Sequence, residues 1–274
     1  MIYFLYTYIS ITIFLTPLLC VGASNGDSYR AVYSYDYIRD SVNLSYNHDI
    51  LYLELCKDSS FCFSRYTWEY DSILREPNGR KKHNQLVLNA VQKEGIYTFS
   101  YPHRMSGFMI SKLNHRKDIN VQNWHDGEYY QYSDNPTDFN WTISDSTKLI
   151  NNYLAIKAEC SYHGRNWTVW FCPELPWSDG PWKFTGLPGL VIQAYDSDRL
   201  YLFNLSGMYV NEKPIRPWVT TANHIDRLNF LKKEYNYYKH FDYGIDSFIG
   251  IKVKGNGFDE IMYRKGIEPD FLNQ

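Results

Sequence analysis

At 274 residues the chain is long enough to bury one large core. Its formal charge of -2 excludes an electrostatic nucleic-acid binder, which needs a clustered basic excess. Tyrosine is abundant at 26, beside 8 Trp and 15 Phe, a composition that favours strands and a mainly β fold.

Residues 2–19 are apolar and run into Cys20-Val21-Gly22-Ala23. Val21 and Ala23 supply the small-residue spacing that signal peptidases read. Residues 1–23 therefore read as a signal peptide and 24–274 as a single exported domain. The leader lacks Lys and Arg, so an uncleaved anchor is the alternative, since the apolar run is just long enough to span a bilayer. Bulky Leu19 ahead of Cys20 argues against a lipoprotein. Processing leaves no transmembrane segment and places the chain in the periplasm or at the outer membrane.

Alternation predicts a first strand over Tyr29–Arg39, then a hairpin of Ile50–Cys56 and Phe61–Trp68. Residues 71–95 are polar, with a short helix predicted over Gln85–Lys93, where Leu86, Ala90 and Val91 share a face. Arg80-Lys81-Lys82-His83 reads as a solvated loop. Strands follow over Gly95–Phe99, Phe108–Leu113, Asp118–Trp124, Tyr129–Ser133 and Asn140–Ser144, with turns at Asp126-Gly127 and Asn135-Pro136. Lys148–Tyr162 and Asn166–Phe171 form a second hairpin turning at His163-Gly164-Arg165.

The stretch Cys172–Asp196 is the most constrained. Pro181 and Pro188 fix their own φ, and Gly180, Gly186 and Gly189 permit turns closed to other residues. Leu187-Pro188-Gly189-Leu190 reads as a type II turn leading into a strand, Leu190–Asp196, paired with Leu200–Ser206. A helix over Ile225–Tyr238 and strands over Phe248–Lys254 and Ile261–Arg264 complete the chain. The whole predicts an antiparallel sandwich or open barrel with one or two short helices.

Outside the leader stand Cys56, Cys62, Cys160 and Cys172, an even count that suggests disulfides in an exported protein. A three-residue loop over Asp58–Ser60 sets Cys56 opposite Cys62. Cys160 and Cys172 lie on the two arms of the second hairpin, where a bulge or longer loop is needed to bring them together.

Signals for catalysis are absent. There is no G-x-S-x-G elbow, no H-E-x-x-H spacing, and Gly186-x-x-Gly189 lacks the helix entry of a phosphate loop. No cofactor or metal site is expected. His103-Arg104-Met105 with Met109 offers soft ligands for Cu(I), against the plainer reading of a loop histidine beside core methionines. Arg165, Trp170, Asp179, Trp182 and Lys183 remain as binding candidates, suited to a glycan, a peptide, another small ligand or a receptor face. The structural alternative has Trp182 and Phe184 capping an open barrel, Asp179 capping a turn and Lys183 pairing with a carboxylate.

Trp141-Thr142-Ile143, Lys148-Leu149-Ile150, Tyr153, Lys157-Ala158, Gly164-Arg165, Trp170 and Asp179-Gly180-Pro181-Trp182-Lys183-Phe184-Thr185-Gly186-Leu187-Pro188-Gly189-Leu190-Val191 resemble the GLPGLI family. Weaker similarity covers Leu53–Ser64, Asp71-Ser72 and Ile267-Glu268-Pro269. Val191 replaces the isoleucine of the family motif, and Ala155 stands where members often carry cysteine. The resemblance implies an exported protein of Bacteroidetes encoded near TonB-dependent outer-membrane receptors, with no established reaction. It also makes the N-x-Ser/Thr contexts of Asn43, Asn140, Asn166 and Asn204 chance occurrences. Asp40-Ser41-Val42 and Asp71-Ser72-Ile73 are similar to that phylum's O-glycosylation sites. The leading expectation is a non-enzymatic envelope binding or accessory protein that serves TonB-linked uptake. An envelope hydrolase acting on peptides or glycans, and a metal-handling accessory protein, are the alternatives.

Overall fold

The computed structural model describes residues 28–40, 45–95, 100–113, 115–125, 127–217, 219–239 and 267–270. The predicted leader, the strands over 248–254 and 261–264, most of the strand over 95–99 and Ser41 lie outside them. The described strands are β1 (Tyr29–Asp40), β2 (Ser45–Leu55), β3 (Ser60–Ser64), β4 (Met109–Leu113), β5 (Asp118–His125) and β6 (Glu128–Asp134). After them come β7 (Thr142–Ile150), β8 (Tyr153–Tyr162), β9 (Arg165–Cys172), β10 (Leu190–Asp196), β11 (Tyr201–Val210) and β12 (Asn223–His224). They form one sheet in the order β12-β6-β5-β4-β3-β2-β1-β11-β10-β9-β8-β7. All pairings are antiparallel except the short β12–β6 contact. The sheet is not closed, so the open-barrel reading holds rather than the sandwich.

One face of the curved sheet carries the core because the residue alternation stays in phase from strand to strand. Ala31, Leu53, Cys62, Ile110, Val121 and Tyr132 are register partners in one row across six strands, all buried. Tyr35, Phe203, Ala194, Val169 and Ala158 form the matching row on the other half. Into this concave face folds the connection between β9 and β10, residues 173–189. Trp182 packs on Trp167 at 5.4 Å, and Phe184 on Trp167 at 5.0 Å and Phe203 at 5.7 Å between ring centroids. The Pro/Gly segment is therefore a plug inside the barrel.

Three helices are described: α1 (Arg65–Arg75), α2 (Gly79–Glu94) and α3 (Arg227–Lys239). α1 replaces the end of the predicted strand Phe61–Trp68. The Ser64 hydroxyl accepts from the Thr67 amide at 3.2 Å and caps it, while Arg65 pairs with Glu69 one turn on. Its Trp68 covers Phe63 on the outer face, where Phe61 and Met109 form a second apolar cluster. α2 extends the predicted helix back to Gly79, so Arg80–His83 are helical rather than loop. α3 lies on the concave side, with Phe230 against Tyr132 at 4.7 Å.

Two other expectations need correction. The predicted arm Lys148–Tyr162 is broken by Asn151-Asn152, both with positive φ (49° and 68°), which turns β7 into β8 as a two-residue hairpin loop. Leu187–Leu190 is not a type II turn. The Gly189 amide donates to Leu187 O at 2.9 Å, a γ-turn about Pro188, and the Leu190 amide goes to Leu175 O at 3.0 Å.

The four cysteines are free thiols, which overturns both predicted disulfides. In the first hairpin Cys62 pairs with Leu53 and Ser60 with Leu55, so Cys56 falls in the turn instead of opposite Cys62. In the second, Cys160 pairs with Trp167, far up the ladder from Cys172 and on the other face. The loop is His163-Gly164, and no bulge brings the sulfurs together.

Candidate functional site

Of the predicted binding residues, all of them buried, Arg165, Asp179, Trp182 and Lys183 lie on the plug side of the sheet and Trp170 does not. Asp179 and Lys112 are fully buried. Lys112 Nζ donates to Asp179 Oδ1 at 2.6 Å, Gly180 O at 2.7 Å and Phe184 O at 2.8 Å, one acceptor for each ammonium proton. Arg116 Nε takes the other oxygen, Oδ2, at 2.6 Å. Burial pushes the Asp179 carboxyl up, but the two cations outweigh it and hold it below the usual carboxylate range. Arg165 pairs with Asp196 at 2.6 Å beneath the Tyr201 ring, and Asp196 also accepts from the Tyr201 amide. Trp170 points to the convex face, where Lys148 Nζ lies 4.0 Å above its ring and donates to Gln193 at 2.6 Å.

Lys183 anchors a larger cluster. Its ammonium bonds Asp134 Oδ2 at 2.6 Å and Glu268, and faces the rings of Tyr132, Trp182 and Tyr162 at 4.8, 5.4 and 5.8 Å. Asp134 also accepts from Tyr162 Oη at 2.8 Å and faces His163 Nε2 at 3.4 Å. The other imidazole nitrogen, Nδ1, is 3.2 Å from Asp270. Arg227 from α3 bridges Glu268 and Asp270. Burial raises the Asp134 carboxyl, yet the hydrogen bonds and charges of His163 and Lys183 hold it far below the ordinary range. The oxygens of Asp134 and Asp138 and a nitrogen of His163 lie within 4.8 Å of one another. The Lys183 ammonium already on Asp134 opposes a cation there.

Beside this cluster, α3 presents Glu234 to β5. Asn123 Nδ2 donates to it at 2.8 Å, and His125 Nε2 stands 3.8 Å away. Burial pushes the Glu234 carboxyl up to about 7 and the His125 imidazole down to about 4. Cys62 and Cys160 are likewise pushed up to about 12 by burial, so neither is a ready nucleophile. His103 donates from Nδ1 to Tyr101 O and holds Nε2 3.2 Å from Met105 Sδ, while Met109 is buried elsewhere with Phe61 and Phe63.

Sequence reasoning had no local signal for Lys112, Asp134 or Glu234, since their partners are remote in the chain, and it met Glu268 only within the Ile267-Glu268-Pro269 resemblance. No helix among the described residues is long and apolar enough to cross a membrane.

A search of curated proteins finds no match. Two crystal forms of PNGF-II, in space groups P21 and C2, align at TM-scores of 0.51 and 0.50, each with 12% identity over 77% of this chain. The chain spans about a third of their length (34% and 33%), and the likeness is one of fold. A LolA superfamily protein, NE2245 from Nitrosomonas europaea, aligns at 10% identity over 70% of this chain and 89% of its own, with a TM-score of 0.25. A family model described as "Protein of unknown function (Porph_ging)" matches residues 161–193, which hold β9, the plug and the start of β10.

Proposed function

We propose that the protein is a non-enzymatic, exported binding or accessory component of the cell envelope that serves TonB-linked uptake. The observation that carries this reading is the β7 edge. Among the described residues β7 has no partner on its outer side. Leu149 and Leu154, directly opposite each other, and Ile143 are exposed there, Leu149 by 74%. An unpaired strand edge with apolar side chains takes up an extended peptide by adding a strand. The charges of the Asp-Gly-Pro-Trp-Lys motif support the same reading, because their ion pairs lie inside the fold. The test is an envelope-extract pull-down comparing the intact chain with Leu149→Asp/Leu154→Asp. Both side chains are exposed, so the fold survives and the partner is lost. Equal retention by both forms sinks the proposal.

Two alternatives each have one observation behind them. A hydrolase acting on peptides or glycans draws on Glu234 and His125, whose proton affinities are displaced in opposite directions as an acid–base pair requires. Turnover of a peptide or glycan panel that disappears in Glu234→Gln would favour it. A metal-handling role draws on the His103–Met105 approach, and metal analysis of periplasm-purified protein decides it.

A further inference from the structure

We propose that Lys183 and Asp134 condense into an intramolecular isopeptide bond, with Glu268 relaying the proton. The three side chains converge from β6, the plug and the C-terminal segment 267–270, and none is more than 5% exposed. Among the described residues, the two buried lysines of the concave face differ in a way that singles out Lys183. Lys112 places its three protons on one carboxylate and two backbone carbonyls. Arg116 holds the remaining oxygen of Asp179, and no second carboxylate reaches the Lys112 nitrogen among the described residues. Lys183 instead lies between two carboxylates, with aromatic rings rather than carbonyls around it.

A buried ammonium–carboxylate pair already contains the atoms of one amide and one water. Glu268 takes a proton from Nζ, and the freed lone pair attacks Cγ of Asp134, forming the N–C bond. Tyr162 Oη, 2.8 Å from Oδ2, and His163 Nε2, 3.4 Å from Oδ1, face the oxygens on which negative charge builds in the tetrahedral species. Glu268 passes on its proton and then a second one from Nζ. One Asp134 oxygen leaves as water and Glu268 returns to its starting state. No oxidant or cofactor is required. Arg227 Nη1, 3.1 Å from Glu268 Oε2, fixes the relay in place. Fixed contact supplies the high effective molarity that such a condensation needs, and exclusion of water slows its reversal. The bond also removes two charges from a site where their desolvation is costly.

Peptide mass spectrometry of the digested full chain tests the proposal. The expected result is a branched species that joins the Asp134 and Lys183 peptides and is lighter than their sum by one water. In Glu268→Gln, which keeps the shape of the relay but not its basicity, the same peptides run separately while the circular dichroism stays native. Separate peptides from the folded wild-type chain overturn the bond, and that measurement does not depend on any variant folding. A branch from Lys183 to Glu268 overturns the choice of Asp134, and a cross-link that persists in Glu268→Gln overturns the relay.

Discussion

Asp134, on the second strand of the sheet order, accepts a hydrogen bond at 2.8 Å from the hydroxyl of Tyr162, on the eleventh. Side chains thus span the gap that the backbone ladder leaves open. Tyr162→Phe deletes one buried hydrogen bond across the seam and is expected to lower the unfolding free energy by about 1 kcal/mol in urea titrations. A loss below a few tenths of a kcal/mol would mean that the seam does not hold the barrel.

The plug depends on Lys112. Lys112→Met leaves Gly180 O and Phe184 O without that donor and Asp179 with Arg116 as its remaining cation. The expected loss is about 3–5 kcal/mol, read as a shift of the denaturation midpoint. Lys82, paired with Glu76 on the surface, serves as the control, and Lys82→Met should change stability by less than about 1 kcal/mol.

Glu234 and His125 pull the pH profile in opposite directions. The Glu234 carboxyl, at about 7 against an ordinary 4.5, binds its proton more tightly in the fold. Its contribution is therefore full below about 4.5 and is lost as pH rises to about 7. The His125 imidazole, at about 4 against 6.5, loses stability as pH falls through the same window. The two slopes largely cancel in the native chain. Glu234→Gln should uncover the histidine slope, a fall of about 2 kcal/mol from pH 7 to pH 4, and His125→Asn the opposite one. Matching profiles for the two variants would rule out the pairing.

Two glycines of the plug answer different demands. A Cβ on Gly189 meets Cys172 O at 2.3 Å, whereas one on Gly186 finds nothing nearer than 3.7 Å and suffers only from its φ of 87°. Gly186→Ala should lower stability by about 1 kcal/mol and Gly189→Ala by clearly more, since backbone must move. Melting temperatures of the two variants give the order, and a reversed order removes the close approach from the account.

Free thiols make the fold indifferent to reductant. Melting temperature should be unchanged by dithiothreitol. Ellman's reagent should titrate Cys56, Cys62, Cys160 and Cys172 after denaturation, and react slowly with the native chain because all four are buried. A reductant-sensitive melt contradicts the register of both hairpins.

Strands were legible wherever alternation and a turn dipeptide coincided, as at Leu190–Asp196 and in the β5–β6 hairpin. α1 was not, because Tyr66, Trp68 and Tyr70 alternate with polar residues as a strand would. The signal was Ser64, a capping residue three positions before Thr67. The Asn151-Asn152 turn was hidden because no glycine marks it. The motif's backbone role was readable from its prolines and glycines, and the cap by Trp182 and Phe184 was one of two readings it allowed. Which carboxylate meets Lys183 was not readable. Asp134 and Glu268 reach it across 49 and 85 positions, and spacing carries no information at that range.

The pairing of Tyr29 with Val210 also sets an order of events. β1 is synthesised first among the described strands, yet one of its two neighbours is β11. Its second ladder must wait until the chain has been made as far as residue 210. Until then an aromatic strand edge stays bare, and such long-range closure makes folding slow. Pairing of that edge with another chain competes with β11 for as long as the edge is bare.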